Sequence, residues 1–205
     1  MIAIINYGLG NINAFVNVYK KLGIELKIAL SSSDLTGSTK IILPGVGSFD
    51  YAMSRLNASG MRPAIDQMVL HEHIPVLGIC VGMQMLALSS EEGVLPGLGY
   101  IDGVVRKFDE TKMTAKLNLP HMGWNDVIPS PGSKLFNGIE DKPLFYFLHS
   151  YYFDCNNMED SIAKADYGGE FVCAVNHQNI YGVQFHPEKS HQYGIQLLKN
   201  FALLS

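Results

Sequence analysis

Charge is scarce in this chain of 205 residues, because only 17% of them are charged and the net charge is −4. No run of lysine or arginine occurs, which argues against non-specific nucleic-acid binding as the main task. No apolar stretch reaches the length of a membrane-spanning helix, and residues 1–6 lack the basic segment of a signal peptide. We therefore expect a cytoplasmic protein that binds neither nucleic acid nor a membrane.

Cysteine is equally scarce, and the three cysteines do not form a pairing set. Cys80, Cys155 and Cys173 are far apart and make no Cys-x-x-Cys pair, which indicates free thiols in a reducing compartment. Residues 71–73 (His-Glu-His) have no second cluster of ligands, and residues 8–13 lack the third glycine of a dinucleotide fingerprint. We expect neither a metal nor a cofactor.

Apolar residues are plentiful, at 47%, and their pattern changes between the two halves of the chain. The first half alternates short apolar runs with helical periodicity, whereas the second half is mostly strand-like. We predict a single domain over residues 1–205 with an α/β fold: an open, mostly parallel sheet, helices on both faces, and an antiparallel addition in the C-terminal half. The predicted strands are 2–7, 25–30, 40–43, 74–79, 144–154, 161–165, 171–176 and 180–185, and the predicted helices are 12–22, 49–71 with a break near Gly60, 83–88 onward, and 191–204.

The most informative segment is 78–82 (Gly-Ile-Cys-Val-Gly), which lies between a predicted strand and a predicted helix. A cysteine on such a sharp turn is a nucleophile elbow, with sulfur in the place of the serine of Gly-x-Ser-x-Gly. The helix N-terminus favours thiolate over thiol. We predict Cys80 as the nucleophile; a small buried cysteine in a strand–helix joint is the alternative.

A cysteine nucleophile needs a base, and residues 184–188 (Gln-Phe-His-Pro-Glu) follow the last predicted strand. A histidine at a strand end of an open α/β sheet lies on the rim where ligands bind. Glu188 is positioned in sequence to orient the imidazole of His186. The three residues Cys80, His186 and Glu188 therefore form a candidate catalytic triad, although a solvated loop histidine and glutamate would give the same local pattern.

Residues 44–47 (Pro-Gly-Val-Gly) follow another predicted strand, and this loop could turn a backbone N–H towards the same rim. Together with the N–H of Val81, the N–H of Val46 would make a two-donor oxyanion hole. An ordinary strand-to-helix turn is the alternative for this loop.

Taken in order and spacing, residues 44–47, 78–84 and 184–188 resemble the class I, or triad, glutamine amidotransferases. More narrowly, residues 120–125 (Pro-His-Met-Gly-Trp-Asn) and 147–151 (Phe-Leu-His-Ser-Tyr) are similar to the branch that forms the glutaminase subunit of imidazole glycerol phosphate synthase. The resemblance spans nearly the whole chain. One departure is Val81, where the family usually has leucine; the backbone N–H is kept.

The resemblance implies hydrolysis of glutamine to glutamate and ammonia for a synthase subunit in histidine biosynthesis, within a heterodimer. It also implies substrate contacts from the residues Gly47, Gln84, Ser150 and Tyr151. A synthase (cyclase) subunit is expected to dock over the site on His121, Met122, Trp124 and Asn125, where an exposed tryptophan suits an interface hot spot. A tryptophan buried in the core is the alternative for Trp124.

Three other functions stay open at the level of sequence. Relatives with the same triad supply ammonia to sugar-modifying synthetases in surface-polysaccharide pathways. A stand-alone cysteine hydrolase would work without a partner, and a non-catalytic binding relative could share the fold. The intact Cys80, His186 and Glu188 argue against a non-catalytic protein.

Overall fold

The computed structural model describes residues 1–112, 117–140 and 142–204. In this part of the chain the first half alternates strands with helices and the second half is mostly strands. The helices are α1 (Ile12–Lys21), α2 (Phe49–Ala58), α3 (Arg62–Asp66), α4 (Val81–Gln84) and α5 (His191–Leu203). The strands are β1 (Ile2–Ile5), β2 (Leu26–Ala29), β3 (Lys40–Gly45), β4 (Val76–Cys80), β5 (Ser89–Ser90), β6 (Gly103–Lys107), β7 (His121–Asp126), β8 (Ile128–Pro129), β9 (Leu144–His149), β10 (Tyr151–Cys155), β11 (Ser161–Asp166), β12 (Glu170–His177) and β13 (Ile180–Val183).

The parallel half of the main sheet has the strand order β2-β1-β3-β4-β13. Strand β4 lies between β3 and β13 and is buried at every position, which explains its uninterrupted apolar sequence. The carboxyl ends of these three strands therefore meet at one edge of the sheet. This edge carries Val46, Cys80 and His186, so the topology brings the predicted oxyanion loop, nucleophile and base together.

The antiparallel addition continues the same sheet through β12, β10 and β6. Strands β12 and β13 are joined by a short hairpin turn, as the sequence predicted. Strands β7 and β9 form a separate two-stranded antiparallel sheet. The predicted fold class, an open α/β sheet with an antiparallel C-terminal addition, is confirmed.

Three sequence-based boundaries are wrong in informative ways. Strand β3 does not stop at Pro44 but runs through Gly45. The pairing with β1 ends at Ile42, so Pro44 pairs with β4 alone and needs no N–H on the other side. The helix after the elbow spans only four residues, 81–84, and the chain then turns. The single strand predicted over 144–154 is divided at Ser150 into β9 and β10, which belong to different sheets.

Candidate active site

Cys80 lies at the junction of β4 and α4 with φ 55° and ψ −113°, a backbone conformation that residues other than glycine rarely adopt. The flanking glycines make this turn possible. A Cβ on Gly78 would lie 2.6 Å from the carbonyl oxygen of Gly82, and a Cβ on Gly82 would overlap the carbonyl oxygen of Leu43. Cys80 is therefore held on a strained, tightly packed elbow, with 4% of its surface exposed.

His186 and Glu188 are held rigidly at the end of the neighbouring strand. Nδ1 of His186 lies 2.9 Å from Oε1 of Glu188, and the two side chains are 5% and 3% exposed. The backbone N–H of His186 donates to the carbonyl of Tyr146 on β9, and the hydroxyl of Ser190 donates to the carbonyl of His186. The hydrogen bond to Glu188 places the proton on Nδ1, which leaves Nε2 for Cys80.

The charge state of His186 suits an acid. Burial alone would lower its pKa, but hydrogen bonds to Cys80 and Glu188, together with their negative charges, raise the pKa to about 10. The imidazole is therefore protonated at neutral pH. It has the charge needed to donate a proton to a leaving group.

The other two cysteines lack this environment. Cys155 and Cys173 are both buried and make no disulfide. Burial, with the charges of Asp160 and Asp154, raises the pKa of Cys155 to about 12, and burial raises the pKa of Cys173 well above its ordinary value. Both are neutral thiols that serve packing.

A cavity of about 290 Å³ opens beside Cys80. It is lined by all four residues predicted to contact substrate, Gly47, Gln84, Ser150 and Tyr151, and by both predicted oxyanion residues. A larger cleft of about 630 Å³ lies between residues 129–140 and the end of α5, and it contains none of the predicted site residues. The small cavity is therefore the candidate site.

The two oxyanion candidates differ in how fixed they are. Val81 is the first residue of α4, so its N–H has no acceptor within the helix. Val46 is exposed and lies between two glycines, of which Gly47 has φ 86°. The peptide of Val46 can therefore rotate at low steric cost, whereas that of Val81 is fixed by the elbow.

Gln84 is buried below the cavity rather than projecting into it as a free side chain. Its Nε2 donates to the carbonyl of Tyr151 at 3.2 Å and to Oε1 of Gln184 at 3.1 Å. Both amide protons are thereby used, so its oxygen is the atom left for a substrate. Nε2 of Gln184 in turn lies 3.7 Å from Sγ of Cys80.

Sequence reasoning missed Glu92, which also lines the cavity. Its Oε2 accepts the backbone N–H of Phe49 at 2.8 Å, at the start of α2. Burial and the nearby charge of Asp50 raise the pKa of the Glu92 carboxyl, and they outweigh the hydrogen bond from Phe49, which lowers it. Glu92 follows Cys80 by twelve positions with no helix or strand long enough to set a spacing, so only the fold reveals it.

The predicted docking segment is strand β7, and its alternation divides the four predicted residues between two faces. Met122 and Trp124 are 61% and 46% exposed, and the indole stacks on His191. His121 is only 3% exposed, so its placement on the docking surface was wrong: in a strand, neighbouring side chains point to opposite faces. Asn125 lies on the same inner face and is half-buried.

The comparison with known families identifies the class of protein. The family model described as glutamine amidotransferase class-I matches residues 3–204, and this chain belongs to that family. The resemblance found from the sequence motifs is thereby confirmed.

More narrowly, the chain is similar over its whole length to proteins named imidazole glycerol phosphate synthase subunit HisH. The one from Bdellovibrio bacteriovorus is 58% identical over 202 residues, which cover 98% of this chain and 99% of that protein. The one from Leptospira interrogans is 52% identical over 204 residues, which cover 100% of both.

Solved structures share the fold. A crystal structure described as glutamine amidotransferase aligns with a TM-score of 0.71 at 19% identity, over 97% of this chain and 98% of that one. The structure of PurLQS from Thermotoga maritima aligns with a TM-score of 0.73 at 16% identity, over 98% of this chain and 96% of that one.

Two features of the described residues bear on other functions. No helix in the described ranges is both long and apolar enough to cross a membrane. Within residues 1–112, 117–140 and 142–204, no group of three His, Cys, Asp or Glu side chains is arranged to hold a metal ion.

Proposed function

We propose that this chain is the glutaminase subunit of a cytoplasmic imidazole glycerol phosphate synthase, which supplies ammonia for histidine biosynthesis. The observation that carries the proposal is the meeting of the Cys80 elbow with the buried His186–Glu188 pair at one cavity. The relatives named HisH match over the full length. The proposal takes residues 1–205 as one domain, since its buried apolar cluster runs from Ile2 to Leu204.

Glutamine carries an ammonium group, a carboxylate and a neutral amide, and the cavity offers chemistry for each. The carboxylate of Glu92 suits the ammonium, since Oε2 is held by Phe49 and Oε1 is left for the ligand. The backbone around Ser150 and Tyr151, with Gly47, suits the polar amino-acid end. Gln84 presents an amide oxygen. This places the side-chain amide of glutamine towards Cys80.

In the first half-reaction, the thiolate of Cys80 attacks the amide carbon of glutamine, and its lone pair forms the new C–S bond. The carbonyl π electrons move to oxygen, where the N–H groups of Val46 and Val81 stabilise the charge. As the oxyanion collapses, the C–N bond breaks and His186 gives its proton to the leaving nitrogen. Ammonia departs, and a γ-glutamyl thioester remains.

In the second half-reaction, neutral His186 takes a proton from water, and the hydroxide attacks the thioester carbon. Collapse breaks the C–S bond and restores the Cys80 thiolate and the protonated imidazole. Glu188 holds the ring on the correct tautomer throughout. The sum is glutamine and water giving glutamate and ammonia.

The exposed face of the β7–β9 sheet is a suitable dock for the synthase subunit. Met122 and Trp124 on β7 and Leu148 on β9 are exposed apolar side chains on this small sheet. Leu148 and Pro120 also line the cavity, so the face continues to its mouth. A partner bound there would cover the cavity and receive the ammonia before it reaches bulk water.

Glu92→Gln is expected to raise KM for glutamine by about 10–100-fold with little change in kcat, because it removes a charge-assisted bond to the ammonium group. The glutamine side chain introduced at position 92 retains an oxygen that accepts from the backbone N–H of Phe49. Wild-type KM should also rise as pH falls, since the raised pKa of Glu92 makes the carboxyl protonate early. Steady-state assays against pH measure both effects.

Glu91→Gln is the matched control, because Glu91 contacts Arg106 and the backbone of Lys107 and does not line the cavity. Its KM should stay at the wild-type value. An equal rise in KM for both variants would show that Glu92 does not contact the substrate.

Growth without histidine tests the pathway. A bacterium that lacks its own glutaminase subunit is supplied with this chain and its cognate synthase subunit, in medium low in ammonium. We expect growth with the wild-type chain and none with Cys80→Ser. If the cells do not grow, although the chain hydrolyses glutamine when it is combined with a sugar-modifying synthetase, the function is ammonia supply for sugar amidation instead.

A further inference from the structure

Two histidines that the glutaminase mechanism does not use connect the docking strand with the cavity, because one belongs to β7 and the other lines the cavity. His121 on β7 and His149 on β9 are cross-strand partners, and both are buried. Nδ1 of His121 lies 2.9 Å from Nε2 of His149. The ring of His121 is stacked between Phe147 and Tyr167, at centroid distances of 4.7 and 3.9 Å.

The hydrogen bonds around this pair run in one direction. Nδ1 of His149 lies 2.7 Å from the carbonyl oxygen of Tyr151, which can only accept, so Nδ1 carries the proton. Nε2 of His149 is then an acceptor, and Nδ1 of His121 must donate to it. Nε2 of His121 is left to accept from Nδ2 of Asn125 at 3.3 Å. Both rings are therefore Nδ1–H tautomers.

The chain of bonds requires both rings to be neutral. Burial lowers the pKa of His121 to about 4. Burial also lowers the pKa of His149 to about 3, because it and the nearby His121 and His186 outweigh the hydrogen bond to Tyr151, which raises this pKa. Around the rings, Phe108, Phe147, Tyr167 and Phe171 provide aromatic surface. A second proton on His149 would place its Nε2–H opposite the Nδ1–H of His121, so that two donors would face each other without an acceptor.

This chain of hydrogen bonds continues to the residues around Cys80. The carbonyl of Tyr151 that accepts from His149 also accepts from Nε2 of Gln84. Gln84 donates onward to Gln184, and Nε2 of Gln184 approaches Sγ of Cys80 at 3.7 Å. A continuous set of buried polar groups thus connects Asn125 on the docking strand with the nucleophile.

We propose that His121 and His149 are positioning residues for glutamine hydrolysis, acting as a neutral one-way hydrogen-bond chain from Asn125 to the Tyr151 carbonyl. This rests on the proposed glutaminase function. The chain holds the Tyr151 carbonyl in place, the carbonyl orients Gln84, and Gln84 orients Gln184 against the Cys80 sulfur. The amide oxygen of Gln84 is thereby kept facing the substrate.

Nitrogen-15 NMR of the imidazoles in the full-length protein tests the proposed hydrogen-bond chain directly. Free histidine in water prefers the Nε2–H tautomer, but we expect both rings to show the neutral Nδ1–H tautomer throughout pH 5–8. An Nε2–H tautomer on either ring, or titration of either ring within that range, would overturn the proposal. This result does not depend on whether the chain hydrolyses glutamine.

Kinetics of the complex with its synthase subunit test the positioning role. His121→Phe keeps a ring between Phe147 and Tyr167 but leaves Nε2 of His149 without a donor, and kcat/KM should fall about tenfold. His121→Asn restores a donor at the Nδ1 position and should recover most of the loss. A purely packing role would give the opposite order.

Tyr167→Phe is the matched control, because it keeps the stack and removes only the hydroxyl that donates to the carbonyl of Asn118. It should have wild-type kcat/KM and a thermal unfolding midpoint like that of His121→Phe. Unchanged kcat/KM in His121→Phe would refute the positioning role. If the wild-type complex is inactive although both rings are Nδ1–H tautomers, the glutaminase function is refuted. The hydrogen-bond chain of the two histidines then remains as a structural element only.

Discussion

Replacing Cys80 with serine is expected to lower the rate of glutamine hydrolysis by about 10⁴–10⁶, since members of a catalytic triad act as a unit. Serine fits the same space on the elbow, but its hydroxyl is a much weaker acid than a thiol, so the variant lacks the anionic nucleophile that the mechanism needs. Steady-state release of glutamate by the complex with the synthase subunit measures the loss. Circular dichroism checks that the variant is folded.

The other two cysteines provide the control for this experiment. Cys155→Ala and Cys173→Ala remove neutral, buried thiols that do not line the cavity, so they should leave the rate of hydrolysis intact in folded protein. Near-normal hydrolysis by Cys80→Ser would mean that another group is the nucleophile, and the proposed mechanism would be wrong.

The isolated chain is expected to be a poor glutaminase that is activated by about 10²–10³ when the synthase partner and its acceptor bind. This is the usual effect of one oxyanion donor on kcat. Val81 is fixed by the elbow, whereas Val46 is exposed just after the end of β3 and lies between two glycines, so its peptide can rotate. The assay compares the chain alone, with the synthase partner, and with both the partner and its acceptor.

Trp124→Ala should weaken docking, and with it the activation, without altering the triad. The matched control is Met158→Ala, which removes an exposed apolar side chain of similar exposure outside the β7–β9 sheet. Saturating partner should restore most of the activity of Trp124→Ala. Full activity of the purified chain without any partner would refute activation and favour a stand-alone hydrolase.

Cys80 and His186 could be predicted from sequence because each lies at or just beyond the carboxyl end of a strand that its own pattern identifies. Parallel strands bring their carboxyl ends to one edge, so Cys80 and His186 come together although 105 positions separate them. Glu188 is bound to His186 by local geometry alone. Short-range patterns and one topological rule therefore suffice for these three residues.

Strand β7 was not predicted, and this explains the error at His121. The sequence identifies this segment as a docking surface only by its resemblance and by its tryptophan, and its single glycine and neighbouring proline hide the period of two. Its burial alternates along the strand, beginning with a buried His121. A histidine is compatible with either face by polarity, so only the contacts with Phe147 and Tyr167 decide its place.

The bond between the backbone N–H of His186 and the carbonyl of Tyr146 has a consequence for interface design. Because the tether uses main-chain atoms, it does not depend on which side chains β9 presents to a partner. Met122, which is exposed on β7 and does not line the cavity, could be exchanged for a side chain that suits a different synthase while the base keeps its position. Partner choice and catalytic geometry are thus separately adjustable on the same small sheet.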